Sequence, residues 1–174
     1  VRDLKFVADN HCVGIYIDGI WEHWATQGPL FYVLAQLAWN PAQDGEAILV
    51  DYYDRAFGPA AKEIGEYFNL MDQAREAHVA KHGASSGVFN LPKLYTEDLL
   101  GRAERLLQRA EVAAGNGPVI HVKRVGFVRA GFEHTKLVVA NAAMMAGYWN
   151  QPDPKIATKV RAHWQAMEKI AADN

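Results

Sequence analysis

VGIYIDGIWEHWATQGPLFYVLAQLAWNP, residues 13–41, contains the sharpest change of pattern in this chain. The run Cys12–Ile17 is short, β-branched and aromatic, which predicts a strand buried on both faces, as in parallel sheets. One strand cannot form a sheet, and no second convincing strand follows. The pattern therefore predicts the last strand of a larger α/β barrel, whose other strands would precede this chain.

An acidic, tryptophan-rich loop, Asp18–Gly28, is predicted to follow this strand. The loop leads into a very apolar helix. Pro29 is well placed as the first helical residue. From Leu30 to Trp39 almost every position is apolar, so we expect this helix to be buried nearly all round. Asn40-Pro41 ends it, because a proline disfavours helical geometry in the residue before it.

The rest of the chain has the pattern of helices separated by clear stops. Asp44 and Thr96 are predicted N-caps, whereas Gly58-Pro59 and GNGP at 115–118 predict breaks. A long helix is predicted from there to Trp149, with its segment 137–146 running through the core. Core positions at helical spacing are Ile48, Tyr52, Ala56, Ile64, Tyr67, Phe68, Met71, Ala74, Leu99, Ala103, Leu106, Ala110, Val125, Val128, Phe132, Val139, Ala142, Ile156, Val160, Trp164 and Met167.

These patterns predict a mainly α fold in two parts. Residues 1–28 would form a terminal βα remnant resembling the end of a (β/α)8 barrel, and residues 29–174 a helical C-terminal module. The chain begins at Val1 rather than methionine, which fits a processed or excised piece. A secreted or periplasmic parent protein is compatible with this start.

Composition narrows the classes of partner. The 174 residues are 50% hydrophobic and 22% charged, as in an ordinary globular protein. A net charge of −2 gives no electrostatic reason to expect nucleic acid or an anionic membrane as a partner. Cys12 is the only cysteine, and its apolar surroundings predict a small buried thiol.

The loop after the predicted strand is the strongest candidate for a functional site. Chemistry in (β/α)8 barrels is found where strands end and loops begin. Asp18 and Glu22 could act on a glycosidic bond or stabilise positive charge on a sugar ring. Trp21 and Trp24 could stack on sugar faces, and His23 lies between them in the same loop. The alternative is structural: the acids cap the next helix and the tryptophans pack under the barrel rim.

A metal site is a weak alternative elsewhere in the chain. His78 and His82 are four residues apart at a predicted helix end, with Glu76 nearby, and such spacing can place two imidazoles on one metal. A third ligand at convincing spacing is missing, so we predict no metal and no cofactor.

A basic stretch opens the long helix. Lys123, Arg124 and Arg129, with Glu133 one turn beyond, predict a solvated face with pairing between residues four apart. Binding of an acidic sugar is the alternative. The P-loop, the dinucleotide glycine fingerprint, GxSxG and HExxH are not found in the sequence.

Four segments resemble the DUF4838 group of glycoside-hydrolase-like proteins. They are LAQLAWNP (34–41), YYDRAFGPAA (52–61), LYTEDLLGRAERLLQRAE (94–111) and RVGFVRAGFEHTKL (124–137). The resemblance implies a (β/α)8 barrel whose last strand leads into a helical C-terminal region. The family's catalytic acids would then lie before Val1, so no catalytic residue can be assigned in this chain.

Two functions are consistent with these observations. The first is the C-terminal helical part of a glycoside-hydrolase-like, carbohydrate-active protein, which braces the barrel, borders its sugar site and is inactive alone. Its partners would be carbohydrate and the remainder of the parent polypeptide. The second is a stand-alone helical interaction module, which would form a homodimer through its apolar helices.

Overall fold

The computed structural model describes residues 2–14, 16, 23–83, 87–148 and 151–173, and all their regular structure is helical. The α-helices are α1 (Arg2–Asp9), α2 (Trp24–Trp39), α3 (Gly45–Phe57), α4 (Ala61–His82), α5 (Leu91–Leu94), α6 (Glu97–Ala114), α7 (Val119–Tyr148) and α8 (Pro154–Asp173). Single 3-10 turns, Gly58–Ala60 and Val88–Asn90, precede α4 and α5. The mainly α prediction is therefore confirmed.

The local signals for helix starts and breaks act as predicted. The Asp44 side chain accepts a hydrogen bond from the backbone N–H of Glu46 at 2.9 Å and caps α3. The Thr96 hydroxyl accepts one from Leu99 N–H at 3.3 Å and caps α6. At Gly58 the backbone has φ +49°, a conformation that L side chains rarely adopt, and the chain turns from α3 into α4.

The main core lies where α4, α6 and α7 pack together with the end of α3. Phe132 of α7 is fully buried and meets Tyr67 of α4 edge to face, with ring centroids 6.1 Å apart. The other buried members of this core are Phe57, Ala60, Ile64, Leu70, Leu99, Ala103, Leu106, Leu107, Ala110, Ala114, Val125 and Val128. Helix α8 packs on α7 and buries Met167.

Helix α2 packs against α3 and α7 beside a smaller core. Val33 and Leu37 of α2 and Ile48 of α3 are its buried members, and Leu4 of α1 and Tyr32 pack against them. This arrangement places α2 and α3 side by side, with a groove open to solvent along part of their contact.

Two predictions for α2 are wrong. The helix begins at Trp24, so Pro29 lies inside it rather than at its first position. Gly28 has no Cβ to collide with the proline ring, which relaxes the usual restriction on a residue before proline. The helix is also not buried all round, because Leu30 and Trp39 are 60% and 90% exposed.

The predicted strand Cys12–Ile17 is not seen. Cys12–Gly14 and Tyr16 have no regular structure, while Ile15 and Ile17 lie outside the described residues. A strand needs a neighbouring strand to pair its backbone, and the described part of the chain contains none. The barrel remnant predicted over residues 1–28 is thus not seen in the described part of that range. Cys12 is exposed rather than buried, and its Sγ lies 3.0 Å from the carbonyl oxygen of Gly14.

The apolar segment 137–146 is less buried than predicted. Within it only Val139 and Ala142 are fully buried, whereas Ala143 and Ala146 are exposed. Val139 and Ala142 are three residues apart, so in this segment a single stripe of α7 is removed from water. Trp164 of α8 is 60% exposed, against its assignment to the core.

Candidate functional site

The structure describes two of the five predicted site residues. Asp18, Trp21 and Glu22 lie outside the described residues. His23 is exposed, with φ +70°, and its backbone carbonyl accepts hydrogen bonds from the N–H groups of Thr26 and Gln27 at 3.0 and 2.8 Å. His23 thus forms the N-terminal boundary of α2. Trp24, the first helical residue, is 50% exposed and meets Phe31 edge to face at 5.0 Å.

Trp24 lies at the edge of a cavity of about 410 Å³, which we call the aromatic cavity. Helices α2, α3, α4 and α7 all contribute to its wall. Its aromatic residues are Trp24, Tyr32, Tyr52, Phe57, Phe68 and Phe127. Arg55 and Arg124 are its charged residues among those that the structure describes. A cavity with apolar ring faces and a few polar groups is typical of small-molecule sites.

Helical spacing explains why these residues share one wall. Trp24, Gly28, Tyr32 and Gln36 follow one another at intervals of four and therefore form a stripe along α2. The ring of Tyr52 on α3 lies 5.0 Å from that of Tyr32, centroid to centroid. Gly28 leaves room for it, since a Cβ on residue 28 would lie 2.9 Å from the Tyr52 hydroxyl oxygen.

The two arginines of the aromatic cavity have different partners. Arg55 Nε donates to Asp51 Oδ1 at 2.6 Å, so its charge is neutralised. Arg124 Nη1 donates to the backbone carbonyls of Arg55 and Ala56, both at 3.2 Å. These carbonyls belong to the last turn of α3, where a cation is favoured by the helix dipole. Arg124 thus fixes the end of α3 and leaves its other N–H groups available.

Burial controls the acid–base behaviour of the tyrosine at the centre of the cavity. Burial raises the pKa of the Tyr52 hydroxyl, and the positive charge of Arg124 partly opposes this increase. The net pKa remains above the ordinary value of 10.0, so Tyr52 is a neutral hydrogen-bonding group at neutral pH. The Tyr52 hydroxyl can therefore both donate and accept a hydrogen bond in the cavity.

The basic stretch on α7 is only partly the solvated face that the sequence predicted. The Arg129–Glu133 pair, four residues apart, is present at 3.6 Å. However, Arg129 is mostly buried and donates to Glu104 and Glu111 of α6, each at 2.7 Å. Lys136 Nζ lies 3.3 Å from Glu104 and 2.8 Å from Glu133. These five residues form an ion-pair network that joins α6 to α7.

The network sets the charge state of its central acid. Burial raises the pKa of the Glu104 carboxyl, but the hydrogen bonds and charges of Arg129 and Lys136 outweigh burial. The pKa of Glu104 therefore lies below its ordinary value. Arg129 lies away from the aromatic cavity wall, so this network is structural, and only Arg124 of the basic stretch belongs to the candidate site.

His78 and His82 lie next to each other at the end of α4, with ring centroids 4.8 Å apart and ring planes tilted by 43°. Within the described residues, no group of three or more His, Cys, Asp and Glu side chains is arranged to hold a metal ion. Nor does any helix in that part of the chain combine the length and apolar character that crossing a membrane requires.

Sequence reasoning missed most of the aromatic cavity. Tyr52 and Phe68 matched the spacing of core positions and were assigned to packing, although each also lines the cavity. Tyr32, Arg55 and Phe127 were not singled out. One usable signal was the stripe Trp24, Gly28, Tyr32, in which a glycine between two aromatic residues predicts a gap on a helix surface.

Comparison with known proteins identifies one family. A family model described as "Domain of unknown function (DUF4838)" matches residues 1–69, which include α1, α2, α3 and the first part of α4. Two of the four resembling segments, 34–41 and 52–61, fall within this range, and the other two lie beyond it. No curated protein and no solved structure gives a significant match. Residues 1–69 are therefore similar to the DUF4838 family, the family that the sequence resembles.

Proposed function

We propose that this chain is the C-terminal helical part of a glycoside-hydrolase-like, carbohydrate-active protein, in which the aromatic cavity borders the sugar site. The observation that carries the proposal is the half-exposed Trp24, which lines the cavity and follows Asp18 and Glu22 closely in the sequence. Aromatic rings bind the apolar faces of sugar rings, while hydroxyl and guanidinium groups bind sugar hydroxyls.

The residues of the cavity favour binding over catalysis. Glycosidases use two carboxyl groups that flank the scissile bond. The described wall of the aromatic cavity offers aromatic rings, two tyrosine hydroxyls and two guanidinium groups instead. In the proposed parent protein the catalytic acids come from barrel strands, and this chain supplies one side of the binding surface. We therefore expect the chain alone to bind sugar without hydrolysing it.

Binding can be tested with a glycan array of neutral and acidic oligosaccharides, followed by calorimetric titration of the sugars that bind. Trp24→Ala should weaken binding about fivefold or more, because an aromatic stacking contact contributes about 1 kcal/mol. Trp164→Ala is the matched control, since Trp164 is similarly exposed on α8 but is not part of the cavity. Absence of binding, or equal losses in both variants, would refute the proposed site.

Bracing of a barrel is the second element of the proposal. Phe6 of α1 and Leu30 and Trp39 of α2 are exposed apolar residues, and a barrel packed on these helices would cover some of them. The coding sequence before Val1 tests this directly. About 250 residues of alternating strands and helices are expected there for a barrel of usual size, and a different upstream sequence would contradict the proposal.

A stand-alone interaction module is the alternative function, and the 90% exposure of Trp39 fits it as well as it fits bracing of a barrel. A homodimer formed through this end of α2 would bury Trp39 of both copies. Light scattering after gel filtration, over a range of concentrations, separates the two functions. A dimer that Trp39→Glu converts to monomer supports the alternative, whereas a monomer at all concentrations excludes homodimerisation as the function of this surface.

A further inference from the structure

A second cavity lies beside the aromatic cavity along the same two helices. It has a volume of about 320 Å³ and is lined by polar side chains of α2, α3 and the turn between them: Gln36, Gln43, Asp44 and Asp51. We call it the polar cavity. Tyr32 and Arg55 line both cavities, so the two spaces are neighbours that share one wall.

The stripe along α2 gives the direction and length of the combined groove. Trp24 and Gly28 line the aromatic cavity alone, Tyr32 lines both cavities, and Gln36 lines the polar cavity alone. Twelve residues separate Trp24 from Gln36, which corresponds to about 18 Å along a helix axis. The combined groove is therefore longer than a single sugar ring.

The two cavities differ in chemistry in a way that suits successive units of a chain. The aromatic cavity offers ring faces, whereas the polar cavity offers amide and carboxylate groups. Gln43 Nε2 donates to the backbone carbonyl of Gln36 at 3.0 Å, and Asp44 Oδ1 accepts from Glu46 N–H. Asp51 pairs with Arg55 through one oxygen. Carboxylates accept several hydrogen bonds, so both acids retain capacity for sugar hydroxyl groups.

We propose that the two cavities are consecutive subsites for an oligosaccharide, with one unit against Trp24 and Tyr32 and the next between Tyr32, Gln36 and Asp51. This inference rests on the proposed carbohydrate function and deepens it. Each cavity lies near the lower end of the volume range of ligand sites, about 300–1,000 Å³, so each holds a small unit. The ligand class is accordingly a chain of at least two sugars.

Length series of β-1,4-linked xylose, glucose and N-acetylglucosamine, from mono- to tetrasaccharide, test the inference by titration calorimetry on the full chain. Within the series that binds, the disaccharide or trisaccharide should bind about tenfold more tightly than the monosaccharide. Gln36→Ala should weaken binding of the longer sugars and so remove most of this gain. Gln165→Ala, at an exposed position of α8, is the control and should change neither affinity.

The outcomes separate this inference from the function on which it rests. Binding that depends on Trp24 but is equal for all lengths overturns the two subsites and leaves the proposed function standing. A length gain that Gln36→Ala does not reduce also overturns them. No binding by any of the three series overturns both proposals.

Discussion

The imidazole of His121 lies directly against Gly58, in the space that a side chain at position 58 would occupy. His121 is in the first turn of α7, and Gly58 begins the turn between α3 and α4. The buried Nδ1 of this ring has no hydrogen-bond partner among the described residues. The two residues therefore contact each other by complementary shape. This fit requires that residue 58 have no side chain and that its backbone have a positive φ.

Gly58→Ala should therefore be strongly destabilising. The added methyl group would collide with the His121 ring, and alanine is strained at φ +49°. We expect a loss of at least about 2 kcal/mol in the free energy of unfolding, measured by chemical denaturation. Gly126→Ala is the control, because a Cβ there has nothing within 4 Å. It should stabilise α7 by up to about 1 kcal/mol, and equal effects of the two changes would refute the argument.

The ion-pair network between α6 and α7 should make stability depend on acid pH. The pKa of Glu104 is lower in the folded chain than its ordinary value of 4.5. Its carboxylate therefore contributes stability above pH 4.5, and this contribution is lost as the pH falls through the folded pKa. Glu104→Gln should cost about 1 kcal/mol at pH 7, a value discounted for partial exposure, and the difference from the unmodified chain should shrink below pH 4.

Denaturant titrations at pH 7, 5 and 3.5 measure this dependence. Glu168→Gln changes an exposed acid of α8 and serves as the control, with an effect within about 0.5 kcal/mol at each pH. A loss in Glu104→Gln that stays constant across this pH range would show that the charge of Glu104 is not responsible.

Local signals predicted the helix boundaries better than they predicted burial. Asp44, Thr96 and Gly58 act on backbone groups within a few residues, so their effect is encoded in the sequence around them. Burial of Trp39 or Cys12 depends on which other segment arrives, and apolar character alone does not say this. The predicted strand depended in the same way on partner strands, and the described part of the chain contains none.

The candidate site likewise combines a residue that the local sequence predicted with residues that it did not. Trp24 was found because it stands beside acids and another tryptophan in the sequence. Tyr52 and Arg124 join it only because α3 and α7 pack next to α2, across separations of 28 and 100 residues. Contacts of that kind are set by the packing of the helices and have no local sequence signal.

Phe132 should be among the most costly residues to truncate. Its ring is fully buried at the contact of α4, α6 and α7 and lies under the ammonium group of Lys136, 4.9 Å from the ring centroid. Phe132→Ala should lower the free energy of unfolding by about 3–5 kcal/mol. Phe127→Ala, on the same helix but exposed, should cost less than about 1 kcal/mol. A comparable loss in both variants would mean that the core is not centred on Phe132.

Arg124 should couple the end of α3 to the acidity of Tyr52. Arg124→Ala removes two hydrogen bonds to the carbonyls of Arg55 and Ala56, which should cost about 1 kcal/mol of stability. It should also raise the pKa of Tyr52 further, because the guanidinium charge lowers that pKa in the unmodified chain. NMR titration of chains labelled at the tyrosine Cζ measures this change. Lys123→Ala, at the exposed neighbouring position, is the control, and an unchanged Tyr52 pKa in Arg124→Ala would contradict the proposed electrostatic contact.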